Sequence, residues 1–372
     1  MSELKVSLSE LQQIAKERTV KTQNIEYDLE TLVKKIDKKV IKLDPEYQRK
    51  HRWSDEMSSK LIESLILNIP VPTVYLSQDL DVDEDDYDGV SRYSVIDGQQ
   101  RLTAIYNFMR NNLALEEMDV LNHLNGCYYR DLPPFLTRRL EERTIKCLRI
   151  DSTLDPQVKY DIFERLNSGA VRLEAQELRN AIYRGPFNDL IKVLAKNHSF
   201  MILNQIDPVK VKHNKKVQKM EDIELVLRFF ALQNNSYKKL KKGFKHFLSE
   251  RMDELNGSTI EEIENYKNKF QKIMALIIEN FGDEAFAKYK PNNQTLIRMS
   301  KFNAAVYDAL SIALADELDF NDPKLPTDFK EKFLSLFHDR DFFDAISGSV
   351  NDRKKVIYRI DAVKGLLRNE SK

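Results

Sequence analysis

The chain has 372 residues, 42% of them hydrophobic and 32% charged, with 59 basic side chains balancing 59 acidic ones. That length allows a sizeable core and more than one domain, and the neutral balance excludes a protein held to nucleic acid by net charge alone. Only ten glycines and eleven prolines occur among abundant Leu, Lys and Glu, which favours a helix-rich fold. Cys127 and Cys147 have no CxxC spacing and no histidines placed as zinc partners, so thiol metal binding is not expected and a reducing compartment is. Met1-Ser-Glu-Leu-Lys5 lacks a signal pattern and no apolar run approaches a membrane span, so the expected location is cytoplasmic, without membrane contact.

In chain order, residues 1–24 read as an N-terminal helical arm. Thr31 to Ile36 predicts a short helix and Val40 to Leu43 a strand, closed by a turn at Asp44-Pro45. The next stretch, Tyr47-Gln48-Arg49-Lys50-His51-Arg52-Trp53, is either a snorkelling basic surface or a segment in which Gln48 and Arg49 face an anion and Trp53 anchors the loop. Ser54 caps a helix carrying Met57, Leu61 and Leu65, which stops at Asn68-Ile-Pro70-Val-Pro72; Thr73 to Ser77 is then a strand. Seven acidic residues fall between Asp79 and Asp88, but the calcium-loop template fails at Asp86, where glycine is needed, and at Arg92, so a solvated loop is expected.

Tyr93-Ser-Val-Ile96 predicts a buried strand, broken at Asp97-Gly98. Leu102, Ile105, Tyr106 and Met109 then repeat with helical spacing, with Asp97 expected as the N-cap. A helix opening with Gly98, Gln99, Gln100 and Arg101 offers free backbone N–H groups, two amides and a guanidinium, an anion site on one reading and a wet capped turn on the other. Downstream, Pro133-Pro134 opens a helix, Thr144 to Ile150 alternates as a half-buried strand, and Pro156 starts a helix ending at Asn167-Ser168-Gly169. A second polar constellation follows: Arg165, Asn167, then Gln176, Arg179 and Asn180 sharing one helical face.

From 187 to 372 the patterns are helical, including Ile260 to Ile277 after a capping box at Ser258 and Glu261, and Leu296, Phe302 and Val306 later. Two lysine clusters, Lys210 to Lys219 and Lys238 to Lys245, have a spacing that suits a phosphate backbone or a solvated face. The expected fold is α+β: a small mixed β-sheet with packed helices over 25–186, then an all-helical domain over 187–372.

Tyr47-Gln48-Arg49…Trp53, Asp97-Gly98-Gln99-Gln100-Arg101-Leu102-Thr103 and Phe163-Glu-Arg165-Leu-Asn167-Ser168-Gly169…Leu173…Gln176-Glu177-Leu-Arg179-Asn180-Ala181 together resemble the GmrSD-type restriction endonuclease N-terminal family. Phe343-Asp344-Ala345…Arg359-Ile360 resembles the end of stand-alone members. The resemblance implies a ParB/sulfiredoxin-like fold and a DGQQR element tied to nucleotide binding and hydrolysis, coupled in several members to restriction of modified or phage DNA. On this chain it implies Asp97, Gln100 and Arg101 as catalytic residues and Asp97 as a Mg²⁺ ligand. It implies Gln48, Arg49, Gly98, Gln99, Arg165, Asn167, Gln176, Arg179 and Asn180 as the binding set for an NTP.

Two departures narrow the expectation. Sulfiredoxins place a nucleophilic cysteine at the glycine turn, where this chain has glutamines, so thiol-repair chemistry is not expected. Complete GmrSD-type enzymes carry a downstream His-containing nuclease domain, whereas His198, His213, His246 and His338 are scattered here. The leading expectation is an NTP-hydrolysing module of a restriction or phage-defence system, with DNA met through the lysine clusters and a separate nuclease or methylase subunit as partner. The competing expectations are a DNA-binding or nuclease module whose pocket holds a backbone phosphate, and a non-catalytic interaction protein.

Overall fold

The computed structural model describes residues 20–43, 53–78, 93–150, 156–166, 174–241, 243–293, 295–319, 321 and 323–368. The chain divides into two compact units, Met1–Leu173 and Glu174–Lys372. The division falls ahead of the expected one at 186 because the helix Ala175–Ile182 packs with helices that follow it.

The first unit is built on a five-stranded mixed sheet of β1 (Thr22–Asp28), β2 (Ile41–Lys42), β3 (Val74–Gln78), β4 (Tyr93–Asp97) and β5 (Thr144–Ile150). Its order is β1-β5-β3-β4-β2, with β5–β3 and β4–β2 parallel and the other two pairs antiparallel. The alternation of β5 has its expected cause: Ile145 and Cys147 enter the core while Thr144 and Lys146 face water. Helices α1 (Leu29–Asp37), α2 (Asp55–Leu67), α3 (Gln99–Met109) and α4 (Pro134–Glu141) supply the rest of that core, through residues such as Leu32, Ile62, Leu65, Leu102, Ile105 and Phe108. Helix α5 (Pro156–Leu166) packs against β4, whose Ser94, Val95 and Ile96 are all buried.

Helix α2 also holds a loop. The Glu63 carboxylate accepts N–H bonds from Asp119 (3.3 Å), Val120 (2.8 Å) and Leu121 (2.7 Å), and one turn earlier Ser59 Oγ accepts from Glu116 (2.9 Å). Burial raises the Glu63 pKa, but the three backbone donors outweigh it and hold the group below the usual glutamate value. A depressed folded-state pKa contributes stability that is complete above the unfolded value near 4.5 and is lost as pH falls through the folded value. Glu63→Gln keeps one acceptor but not the charge and is expected to lower stability by about 1–2 kcal/mol at neutral pH. Urea unfolding at pH 7 and pH 3 measures this: the gap between wild type and variant closes at the lower pH.

The second unit is helical: α6 (Ala175–Ile182), α7 (Pro186–Leu194), α8 (His198–Leu203), α9 (Lys215–Gln218), α10 (Glu221–Leu232), α11 (Phe244–Asn256), α12 (Ile260–Phe281), α13 (Ala304–Glu317), α14 (Phe329–Ser335), α15 (Arg340–Ala345) and α16 (Arg353–Arg368). Residues 305–315 of α13 are all buried, as its apolar character on every side requires, and α10, α12 and α16 pack around it. Edge-on rings fill the space between: Phe229 lies 5.0 Å from Phe230 and from Phe270, and Phe200 lies 5.4 Å from Phe270.

Two local expectations are corrected. An antiparallel hairpin, β6 (Lys288–Asn292) and β7 (Thr295–Ser300), interrupts the helices. Pro291 lacks the N–H a helix interior needs, and Asn293 turns the chain at φ 55°. The capping box of α12 uses Thr259 and Glu262, one residue beyond the expected pair; Thr259 Oγ1 accepts the Glu262 N–H and Glu262 accepts the Thr259 N–H.

Candidate functional site

The turn from β4 to α3 is set by Gly98, which caps α3 at φ 97°. A Cβ at this position would stand 2.8 Å from Val74 Cγ2 and 3.2 Å from Arg101 Nη2, so glycine is required by backbone conformation and by space. The expected N-cap is corrected: Asp97 ends the strand, and its Oδ2 accepts from Arg101 Nη2 at 2.6 Å. Arg101 Nη1 donates to the Pro72 carbonyl and to the Thr73 carbonyl (3.3 Å). The guanidinium thus braces the start of β3 against the end of β4 from a side chain 11% exposed, while Asp97 is 45% exposed.

The two glutamines do different work. Gln100 Oε1 accepts the Trp53 N–H at 3.1 Å, tying the start of α2 to α3. Gln99 is 2% exposed, and among the described residues its buried Oε1 has no hydrogen-bond partner. Both side chains line a cavity of about 460 Å³. Its α3 wall continues through Thr103, Tyr106 and Asn107, and its other walls come from Leu43, Trp53, Asp55, Ser58 and the stretch after α3 at Asn112 and Leu113. Among the described residues the lining holds no Lys, Arg or His. It is a site of amides, hydroxyls and aromatic surface with one carboxylate, Asp55. The spacing Gln100, Thr103, Asn107 is the polar face of the helix whose opposite face carries Leu102, Ile105 and Met109 into the core, a signal the sequence reading did not use.

Gln48, Arg49 and Asn167 lie outside the described residues. Arg165 is exposed near the end of α5. Gln176, Arg179 and Asn180 share a face of α6, as their spacing predicts, and that face is buried among residues of the second unit. Arg179 Nη1 donates to Gln176 Oε1 and to Glu224 Oε2, both at 2.9 Å, with Nε on Ser249 Oγ (3.3 Å) and Nη2 on the Lys245 carbonyl (3.2 Å). Gln176 Nε2 donates to Asn180 Oδ1 at 3.0 Å. This constellation anchors α6 within its own unit.

Among the described residues no group of three or more His, Cys, Asp or Glu side chains gathers as a metal site. Burial pushes the Cys147 thiol up to about 11, which keeps it a neutral core residue at physiological pH. In the first lysine cluster Lys216 donates to Asn204 Oδ1 and to the Asn204 carbonyl, both at 2.8 Å, and burial brings it down to about 8. Lys219 stands 3.8 Å from Glu174 and 3.9 Å from Glu221, and Lys238 pairs with Asp361 at 3.4 Å. Lys210, Lys215, Lys239, Lys241 and Lys245 are exposed. No described helix is long and apolar enough to cross a membrane.

Residues 29–184 match a family model described as the GmrSD restriction endonuclease, N-terminal domain. No curated protein and no solved structure matches the chain.

Proposed function

From the match of residues 29–184 to the GmrSD restriction endonuclease N-terminal domain, we propose that the protein is the nucleotide-binding, NTP-hydrolysing module of a restriction system acting on or regulating DNA cleavage. The observation that carries this reading is the strand–Gly98–helix turn, whose first helical residues Gln99 and Gln100 line a polar cavity. At such a turn the first N–H groups of α3 have no partner within the helix and favour phosphate oxygens. Leu43 and Trp53, which flank the segment 44–52, both line the cavity. Gln48 and Arg49 belong to that segment in sequence, and an amide and a guanidinium suit the phosphates of a nucleotide.

Asp97 fits a Mg²⁺ site as one carboxylate, the share this ion commonly takes from protein when phosphates and water supply the rest. When bound, the ion would neutralise phosphate charge. The chain's own part in hydrolysis is orientation: Asp97 positions water for attack on the terminal phosphorus, the bond from that phosphorus to the bridging oxygen breaks, and a nucleoside diphosphate and phosphate leave. Arg101 keeps Asp97 in place for this. Exposed members of the lysine clusters would meet DNA, and a separate nuclease subunit would cut it.

A nucleoside triphosphate with Mg²⁺ at about 100 times its Kd is expected to stabilise the protein by about 2.7 kcal/mol, read as a rise of several degrees in Tm. Asp97→Asn should remove the Mg²⁺ dependence of that shift and of phosphate release. An equal shift in the variant would reject the role given to Asp97.

A further inference from the structure

We infer that the β6–β7 hairpin of the second unit is a DNA-binding arm, a two-stranded ribbon that enters the major groove of a duplex with one of its faces. The inference rests on the DNA part of the proposed function and deepens it by naming the element that meets the duplex. It needs nothing from the Gly98 turn.

The hairpin is fastened on one face and open on the other. Its register sets Tyr289 opposite Arg298 and Pro291 opposite Leu296, so these four share a face; Lys290 opposite Ile297 and Asn292 opposite Thr295 form the other. On the first face the Tyr289 ring meets Phe337 edge-on at 5.4 Å, and Arg298 pairs with Glu284. At the base Lys288 donates to Ser347 Oγ, and at the turn Thr295 Oγ1 donates to the Asn292 carbonyl at 2.9 Å. The second face meets water. Lys290, Asn292 and Thr295 are exposed, Ile297 is 44% exposed, and Met299, two residues along the same strand, is 53% exposed.

Charge and shape select the occupant. No Asp or Glu occurs between Glu284 and Asp308, a stretch that carries Lys288, Lys290, Arg298 and Lys301 in a chain whose charges balance overall. A second copy docked there would set like charges against one another, whereas phosphates neutralise them. Two strands about 5 Å apart make a ribbon that the major groove, about 12 Å wide, admits. In that seat Lys290 and Lys301 serve phosphates, and the Asn292 amide offers a donor and an acceptor to base edges. Ile297 and Met299 gain the methyl groups of thymine to bury against.

The experiment is fluorescence anisotropy of a short labelled DNA duplex titrated with the full-length protein over a range of salt. Lys290→Gln is expected to weaken binding severalfold and to lower the salt slope by about one. Ile297→Thr and Met299→Thr, made together, keep every charge and the strand propensity. That double variant should weaken binding about tenfold with the salt slope unchanged, which a purely electrostatic surface would not show. The substituted side chains are exposed, so Tm should move by no more than about 2 °C, which separates lost contact from lost folding.

Competition identifies the partner. Displacement by unlabelled duplex, with poly-glutamate and the separated single strand far weaker, supports the groove. Equal displacement by poly-glutamate or by the single strand would overturn it. Variants that dissociate a dimer while leaving duplex binding intact would assign the face to a second copy and overturn the inference. Duplex binding unchanged in both variants would overturn the arm and leave DNA contact through the lysine clusters standing. A wild type that binds no duplex would overturn both, without touching nucleotide binding, which the Tm shift reads independently.

Discussion

Asp308→Ala is expected to destabilise the protein by about 3–5 kcal/mol, because it leaves two buried arginines without their shared counter-charge. Asp308 is fully buried in the middle of α13. Its carboxylate takes Arg228 through Nε at 3.0 Å and through Nη2, and takes Arg359 through Nη2 at 2.6 Å. Arg359 also donates to the carbonyls of Ala345 and Val350, and its Nε is buried with no partner among the described residues. Burial pushes the Arg359 pKa down and Asp308 draws it back up, so removal of the carboxylate leaves a desolvated cation beside another one. Guanidinium-chloride unfolding of wild type, Asp308→Ala and Asp308→Asn measures the effect. The asparagine keeps volume and one acceptor, so the difference between the two variants reports packing together with that acceptor, and the loss in Asp308→Asn reports the charge. A loss under about 1 kcal/mol in Asp308→Ala would show that water or a rearranged partner reaches the arginines.

Gly98→Ala is the second large effect. The left-handed backbone alone costs an alanine about 1–2 kcal/mol, and forcing its methyl against Val74 adds about 1–3 kcal/mol. Val74 is β-branched and buried in β3, so it has little freedom to turn aside. Pairing the substitution with Val74→Ala should recover the steric share and leave the backbone share, visible as a favourable coupling in a double-mutant cycle. Strict additivity of the two single losses would show that the contact is relieved by other means. Nucleotide-induced stabilisation should fall in Gly98→Ala and return in part in the double variant.

The sequence makes the strand–turn–helix legible because a short β-branched apolar run gives way at Gly98 to an apolar period of 3.6. It also makes β5 legible from alternation, and the α+β order of the chain from where that alternation stops. The purpose of Arg101 is not legible in the same way. Its carbonyl partners, Pro72 and Thr73, lie 29 and 28 residues upstream and leave no side-chain signature, so a structural brace and a phosphate ligand look alike. The partners of Gln176, Arg179 and Asn180 are not legible for a related reason. Their spacing predicts a shared face correctly, but polarity argues for solvent or ligand where the fold supplies Glu224, Ser249 and a carbonyl. The purpose of Arg359 is likewise seen only in three dimensions: it is one of the two cations gathered on Asp308.

Helix α6 has a bearing on how genes of this kind can be cut and rejoined. The family match runs to residue 184, whereas the compact unit that owns α6 begins at Glu174. A recombination event joining the first 184 residues of one homologue to the remainder of another would separate Arg179 from the Glu224 it pairs with in this chain. A crossover near 173 would move the ion pair as one inherited block. Chimaeras joined at 173 should therefore accumulate to higher levels in cells than chimaeras joined at 184.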